Sequence, residues 1–133
     1  MIMRAMDWVA RRLIGAGWTR RVAELTSTGA RSGLPRSTVL AVHEEPGGSL
    51  LVVGSNFGKD KHPDWSANLL KNPSAQVRFA GDRFPVAAEL LSGEERAAVW
   101  PALKAGNKVY EKYEPQVERE MRVFRLTRAS MEA

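Results

Sequence analysis

The residues best able to bind or react fall into two polar stretches and one pair of tyrosines. The first stretch is Thr28-Gly29-Ala30-Arg31-Ser32-Gly33-Leu34-Pro35-Arg36. Glycine lets backbone amides approach a ligand closely, and Gly33 and Pro35 punctuate a turn. Ser32 offers a hydroxyl, while Arg31 and Arg36 can donate charge-assisted bonds to phosphate oxygens. The pattern is not a Walker A loop, because no Gly-Lys-Ser/Thr follows at the required spacing. On its own it reads equally as a hairpin loop with surface arginines.

The second stretch is Ser55-Asn56-Phe57-Gly58-Lys59-Asp60-Lys61-His62-Pro63-Asp64-Trp65-Ser66-Ala67-Asn68-Leu69. Ser55 and Asn56 stand where a run of strand formers ends. Lys59, Lys61 and a helix N-terminus at Pro63 add positive potential, so an anion is again the fitting ligand. His62 is placed to cap that helix or to touch a ligand. Trp65 and Asn68 are three residues apart and share a helix face. Trp65 suits either the core or a ring platform, and a half-buried Asn68 amide needs partners, from backbone or ligand. We expect the two loops to share one ligand. Tyr110 and Tyr113 can either close a lid over a flat ligand, with a phenol donating a proton, or cover one end of the domain by packing.

Other chemistries are excluded. The chain has no cysteine, no carboxylate pair at a defined spacing and no nucleophile elbow. His43 and His62 are too few for a zinc site, so no metal is expected. Anion loops without nucleophiles imply that a bound cofactor carries the reaction. The length of 133 residues holds one domain, and a hydrophobic fraction of 44% is that of a folded one. The net charge of +5 favours acidic ligands, but the basic residues are dispersed, so nucleic acid is not indicated. Cysteine-free composition, no apolar run of membrane-spanning length and no signal peptide lead us to expect a cytoplasmic protein.

The elements that must position these residues follow from periodicity. Ile2, Met6, Val9, Leu13 and Ile14 predict an amphipathic helix within residues 1–20, with Arg4, Arg11 and Arg12 off its apolar stripe. That helix either packs on the domain or lies on an anionic membrane surface. Strands are expected at Val22–Thr28, Arg36–His43, Ser49–Gly54, Ala75–Phe79, Arg83–Leu91 and Met121–Thr127. Leu50–Val53 lacks alternation and should be buried on both faces. Phe84, Val86, Ala88 and Leu90 should share a face, and Pro85 points to an edge or bulge. Pro63–Lys71 forms a short helix. Ser92-Gly93-Glu94-Glu95 reads as a capping box, opening a helix that breaks at Pro101. Asn107–Glu120 is weakly helical. The sum is an α+β, mainly β domain over residues 21–128, a six-stranded antiparallel small barrel with short flanking helices and a frayed tail at 129–133.

Taken together, the motifs resemble the deazaflavin-dependent nitroreductase family of actinobacteria, small split β-barrel proteins that use reduced coenzyme F420. The residues that carry the likeness are Leu25–Arg36, Val53–Gly58, His62–Leu69, Asn72-Pro73, Glu94-Glu95-Arg96, Trp100-Pro101, Tyr110, Tyr113 and Arg119. The resemblance implies an FMN-binding-like split barrel and hydride transfer to a quinone-like or nitroaromatic acceptor. It implies that Arg31, Ser32, Gly33, Pro35 and Arg36, with Phe57, Gly58, Lys59 and Lys61, hold the cofactor's phosphate and acidic tail. The ring would lie near Ser55, Asn56, Trp65 and Asn68, with Tyr110, Tyr113 or Ser55 serving the substrate oxygen. Ala30 stands where the family often has arginine, and Asn56 where some members carry lysine. Asn107 replaces a tyrosine of a known nitroreductase member. The likeness is compatible with a monomer or a homodimer. The competing readings are a split-barrel carrier or enzyme for a flavin such as FMN or for haem, and a membrane-surface module built on the N-terminal helix.

Overall fold

In β1 (Val22–Thr28) every second residue, Ala23, Leu25 and Ser27, is buried, the period-two pattern of a strand with one face on a core. Residues 22–129 are described by the computed structural model. The predicted helix in residues 1–20 and all but Ala129 of the predicted tail lie outside the described residues.

The described strands form one antiparallel sheet of seven, in the order β2-β1-β5-β6-β7-β4-β3. Here β2 is Pro35–Ala41, β3 is His43–Glu44, β4 is Leu50–Val53, β5 is Ser74–Phe79, β6 is Asp82–Leu91 and β7 is Val123–Arg128. The two edges of this sheet, β2 and β3, are separated in the chain by Val42 alone. One passage of chain therefore supplies both edges, which forces the sheet to curl until they adjoin. This is the seam of a split barrel, and it is why the single strand expected at Arg36–His43 counts as two and the six expected strands become seven.

Leu25, Leu50, Val52, Val77, Phe124 and Leu126 fill the interior, and Leu69 from α1 (Asp64–Lys71) closes it. Leu51 and Val53 point the other way, beneath Leu91, Trp100, Leu103 and Met121. All four residues of β4 are thus buried, as its unalternating sequence requires. Burial of side chains of this size contributes on the order of 2 kcal/mol each. That packing holds α2 (Gly93–Gly106) and α3 (Val109–Tyr113) to the barrel's outer face.

Leu90 keeps the alternation of Phe84, Val86 and Ala88 but is 41% exposed at the barrel's end, whereas Leu91, opposite Val123, is buried under α2. Three expectations are corrected. Pro85 lies in an interior strand, not at an edge. Its carbonyl accepts from Ala129 N, so the missing N–H faces the same side, past the end of β7, and no bond to β5 is lost. Ser92 stands at the N-cap of α2 but makes no side-chain cap bond, and Glu95 instead accepts from Arg125 Nη1 at 3.3 Å. Helix α2 continues through Pro101, because the carbonyl that loses its partner, that of Ala97, lies on the exposed side and meets water.

Candidate functional site

The turn after β1 is built around Gly29, whose N–H donates to Leu34 O at 2.8 Å and whose carbonyl accepts Gly33 N at 2.9 Å. A Cβ on Gly29 would collide with Ser32 Oγ, and Gly33 takes φ +71°, so glycine is required at both places. Ser32 Oγ accepts from Leu34 N at 3.1 Å, which leaves its hydroxyl hydrogen for a ligand. Arg31, Ser32 and Arg36 are all exposed on this turn.

Helix α1 holds the turn in place. Asn68, 7% exposed, accepts from Ala30 N through Oδ1 at 2.8 Å and donates through Nδ2 to Ser27 Oγ at 3.1 Å. One turn further, Lys71 Nζ donates to Ala30 O at 2.7 Å. Ser27 occupies an inward position of β1, so its buried hydroxyl is satisfied by the helix that covers it. The Asn68 amide is thereby committed at both ends to protein partners, which tie the Ala30 loop to α1.

The second loop leaves β4 at Gly54, whose N–H donates to Arg122 O at 2.8 Å. Ser55 O accepts from Gly58 N at 2.9 Å and from Arg119 Nη2 at 3.1 Å. The backbone of Ser55 is thus fixed. Asn56, Phe57 and Gly58 are successive left-handed residues, with φ of 46°, 58° and 77°. For the two non-glycines this costs roughly 1–2 kcal/mol each. Asn56 offsets part of it by donating through Nδ2 to Lys61 O at 2.8 Å. Phe57 is 70% exposed, and Lys59 and Lys61 are exposed beside it. The loop runs into Pro63, the N-cap residue of α1, so both basic loops are attached to one short helix. His62 does not cap that helix. Its Nδ1 lies 3.2 Å from Arg119 Nη1, and burial, then Arg122 and Arg119, push its pKa below the usual value.

The aromatic residues divide. Trp65 is half-buried, with its ring edge-on to Phe124 at 5.8 Å between centroids. Tyr113 is half-buried, and Gly58 approaches it so closely that a Cβ there would stand 2.7 Å from Tyr113 Cδ1. Tyr110 is 6% exposed, stacks on Trp100 at 6.0 Å and has its pKa raised by burial, against an opposing hydrogen bond to Asn107. The structure therefore brings Tyr113 to the Ser55–Gly58 loop and places Tyr110 in the outer core, so of the two alternatives Tyr110 takes the packing one. Sequence reasoning passed over Ser27, Lys71 and Arg119 as ligands of these loops. Their partners lie about 40 to 65 residues away, and no local spacing signals them.

A model of the F420H(2)-dependent quinone reductase family matches residues 2–128. The chain belongs to this family. A relative, described as a putative F420H(2)-dependent quinone reductase of Mycobacterium tuberculosis, is 40% identical over 53 residues, 40% of this chain and 44% of that protein. The aligned part thus spans less than half of that relative. Among solved structures, an F420-H2 dependent reductase (FDR-A) is similar with a TM-score of 0.73 at 33% identity, covering 80% of this chain and 94% of the other. A chain described as a domain-swapped dimer gives a TM-score of 0.73 at 31% identity, covering 92% and 99%. The architecture described above is thus the split barrel of an F420H(2)-dependent reductase family. The donor set fits such a coenzyme, whose phosphate and glutamate tail are anionic. Guanidinium groups, ammonium groups and a free serine hydrogen surround the two glycine-bearing loops, and among the described residues no cluster of metal-ligating side chains occurs.

Proposed function

We propose that the protein is an F420H(2)-dependent oxidoreductase that passes a hydride to a quinone-like or nitroaromatic acceptor. The observation that carries this reading is the attachment of both basic loops to the single helix α1, one through Asn68 and Lys71 and the other through Pro63. Arg31, Ser32 and Arg36 bind the coenzyme's phosphate side, and Lys59 and Lys61 attract its acidic tail. Ser55, Asn56 and Trp65 seat the ring, while Asn68 keeps the basic loop in register with it. When bound, the reduced deazaflavin supplies the hydride. Tyr113 or Ser55 donates a hydrogen bond to the acceptor oxygen, where negative charge develops. Tyr110 supports Trp100 and takes no part in the chemistry.

Tyr113 beside Gly58 and the exposed Phe57 offer aromatic rings on which an aromatic or quinonoid acceptor would stack. We also infer a homodimer, from the likeness to a chain described as a domain-swapped dimer. Among the described residues no helix is long and apolar enough to cross a membrane. The test is a fluorescence titration of the purified protein with coenzyme F420, FMN and haem at low salt. Saturable binding of coenzyme F420 in preference to the other two is expected. Tight binding of FMN or haem with none of coenzyme F420 would overturn the assignment.

A further inference from the structure

We propose that Arg119 is a positioning residue that sets the shape and polarity of the ring-side loop, acting from outside the ligand site. This rests on the reading of that loop as the coenzyme's seat. Arg119 lies between Glu118 and Glu120, in the segment that leads to β7. Its Nη1 donates to Gly54 O at 2.9 Å, and its Nη2 donates to Ser55 O at 3.1 Å and Lys59 O at 3.0 Å. Nη1 also lies 3.2 Å from His62 Nδ1. All four partners belong to the loop between β4 and α1, so the guanidinium serves that loop and not the barrel core.

The chemistry of the contacts gives them a function. Three carbonyl oxygens drawn onto a half-buried cation are turned away from the rim where an anionic ligand would meet them. The positive charge left behind adds to that of Lys59 and Lys61. The loop also needs the support, since Asn56 and Phe57 hold left-handed conformations that persist only where their surroundings over-determine them. A lysine ammonium is a point charge on a flexible stem and cannot span Gly54, Lys59 and His62 with a planar fork. The clamp has its own cost, because burial, then Arg122, lower the Arg119 pKa, with Asp60 opposing. Its Nε is buried with no partner.

The fourth contact makes the clamp sensitive to pH. To accept from Nη1, His62 must be unprotonated. Burial and the facing cations Arg122 and Arg119 favour that state, and Asp60, which faces Arg119, helps to keep that guanidinium charged. His62 pKa is lowered on folding, so its contribution is complete above about 6.5, the unfolded value, and is lost as pH falls through the folded one.

The experiment compares wild type with Arg119→Lys, Arg119→Ala and His62→Gln. Two quantities are read: amide hydrogen exchange at residues 56–61 of the free protein, and the Kd for coenzyme F420 between pH 5 and 8. Arg119→Lys is expected to speed exchange in the loop about tenfold or more, leave strand amides protected and raise Kd by a similar factor. Guanidinium ion at millimolar concentration should restore part of the affinity of Arg119→Ala. Wild-type affinity should fall as pH drops through the folded His62 pKa, which lies below about 6.5, and His62→Gln should flatten that dependence. Unchanged loop exchange in Arg119→Lys, or an acid loss that survives in His62→Gln, overturns the proposal. If the wild type does not bind coenzyme F420, the reading of the site fails, while the exchange comparison still decides whether the clamp exists. If Arg119→Ala does not fold, the lysine variant decides it.

Discussion

Replacing Asn68 by alanine tests the helix-to-loop tie most directly. The side chain is 7% exposed, and both ends of its amide are engaged, with Ala30 N at 2.8 Å and Ser27 Oγ at 3.1 Å. A net hydrogen bond contributes about 1 kcal/mol, and a buried partner left alone costs about 1–3 kcal/mol. The two partners differ. Ser27 is 2% exposed, so its hydroxyl is stranded, whereas Ala30 is half-buried and water can reach its amide. The Lys71 bond to Ala30 O survives and keeps part of the tie. The expected loss for Asn68→Ala is therefore about 2–3 kcal/mol, a fall in Tm of roughly 10 °C for a domain of this size. Ser27→Ala removes one bond only and should cost about 1 kcal/mol. Because the two side chains bond each other, the double variant should cost about 1 kcal/mol less than the sum. Urea unfolding gives the stabilities, with the slope m watched for departures from two-state behaviour. A coenzyme titration should show Asn68→Ala binding more weakly than Ser27→Ala, because only the former releases the Ala30 amide and with it Arg31 and Ser32. An Asn68→Ala loss under about 0.5 kcal/mol, or strict additivity with Ser27→Ala, refutes the reasoning.

Three further experiments probe the site. Gly58→Ala should cost about 2 kcal/mol or more by thermal unfolding, since φ is +77° and a Cβ would press on the Tyr113 ring; an unchanged Tm would mean that the contact is loose. Tyr113→Phe should reduce turnover with little change in coenzyme Kd, while Tyr110→Phe, whose ring stays stacked on Trp100, should keep turnover and lose about 1 kcal/mol of stability at most. Equal turnover in both variants would reduce Tyr113 to packing. Arg31→Ala with Arg36→Ala should weaken coenzyme binding and flatten its salt dependence, because exposed cations are screened within about 10 Å at 0.1 M salt. Identical salt curves for variant and wild type would remove the first loop from the site.

Much of the fold is visible in local pattern because local pattern is what makes strands. The alternation in Ser74–Phe79 and the unbroken apolar run of Leu50–Val53 describe, residue by residue, which faces meet a core. Where the reading failed, the deciding quantity lay across the sheet. Nothing near Val42 shows that its two sides belong to opposite edges, since that depends on how far the whole sheet curls. Leu90 keeps the alternation of β6, yet its partner surface ends before it does. Ser92 and Glu95 have the spacing of a capping box, but Arg125 from β7 competes for Glu95 and wins.

The site divides along the same line. Residue types that attract an anion, Arg31, Arg36, Lys59 and Lys61, can be recognised singly, because charge acts without detailed geometry. Asn68 was visible as an oddity, an amide on an apolar face, but its partner Ser27 is 41 residues away and looks like any strand serine. Tyr110 and Tyr113 are equivalent by helical spacing. They part only because α3 is five residues long and tucks its first turn against Trp100, while its end meets Gly58. Arg119, flanked by glutamates, has the local look of a solvated charge, yet it makes three bonds to carbonyls of a loop that precedes it by some 60 residues. A side chain that binds through its charge can therefore be read from its neighbours in sequence. One that binds by positioning others can be read only from its neighbours in space, and in this barrel the second kind decides which of the first can act together.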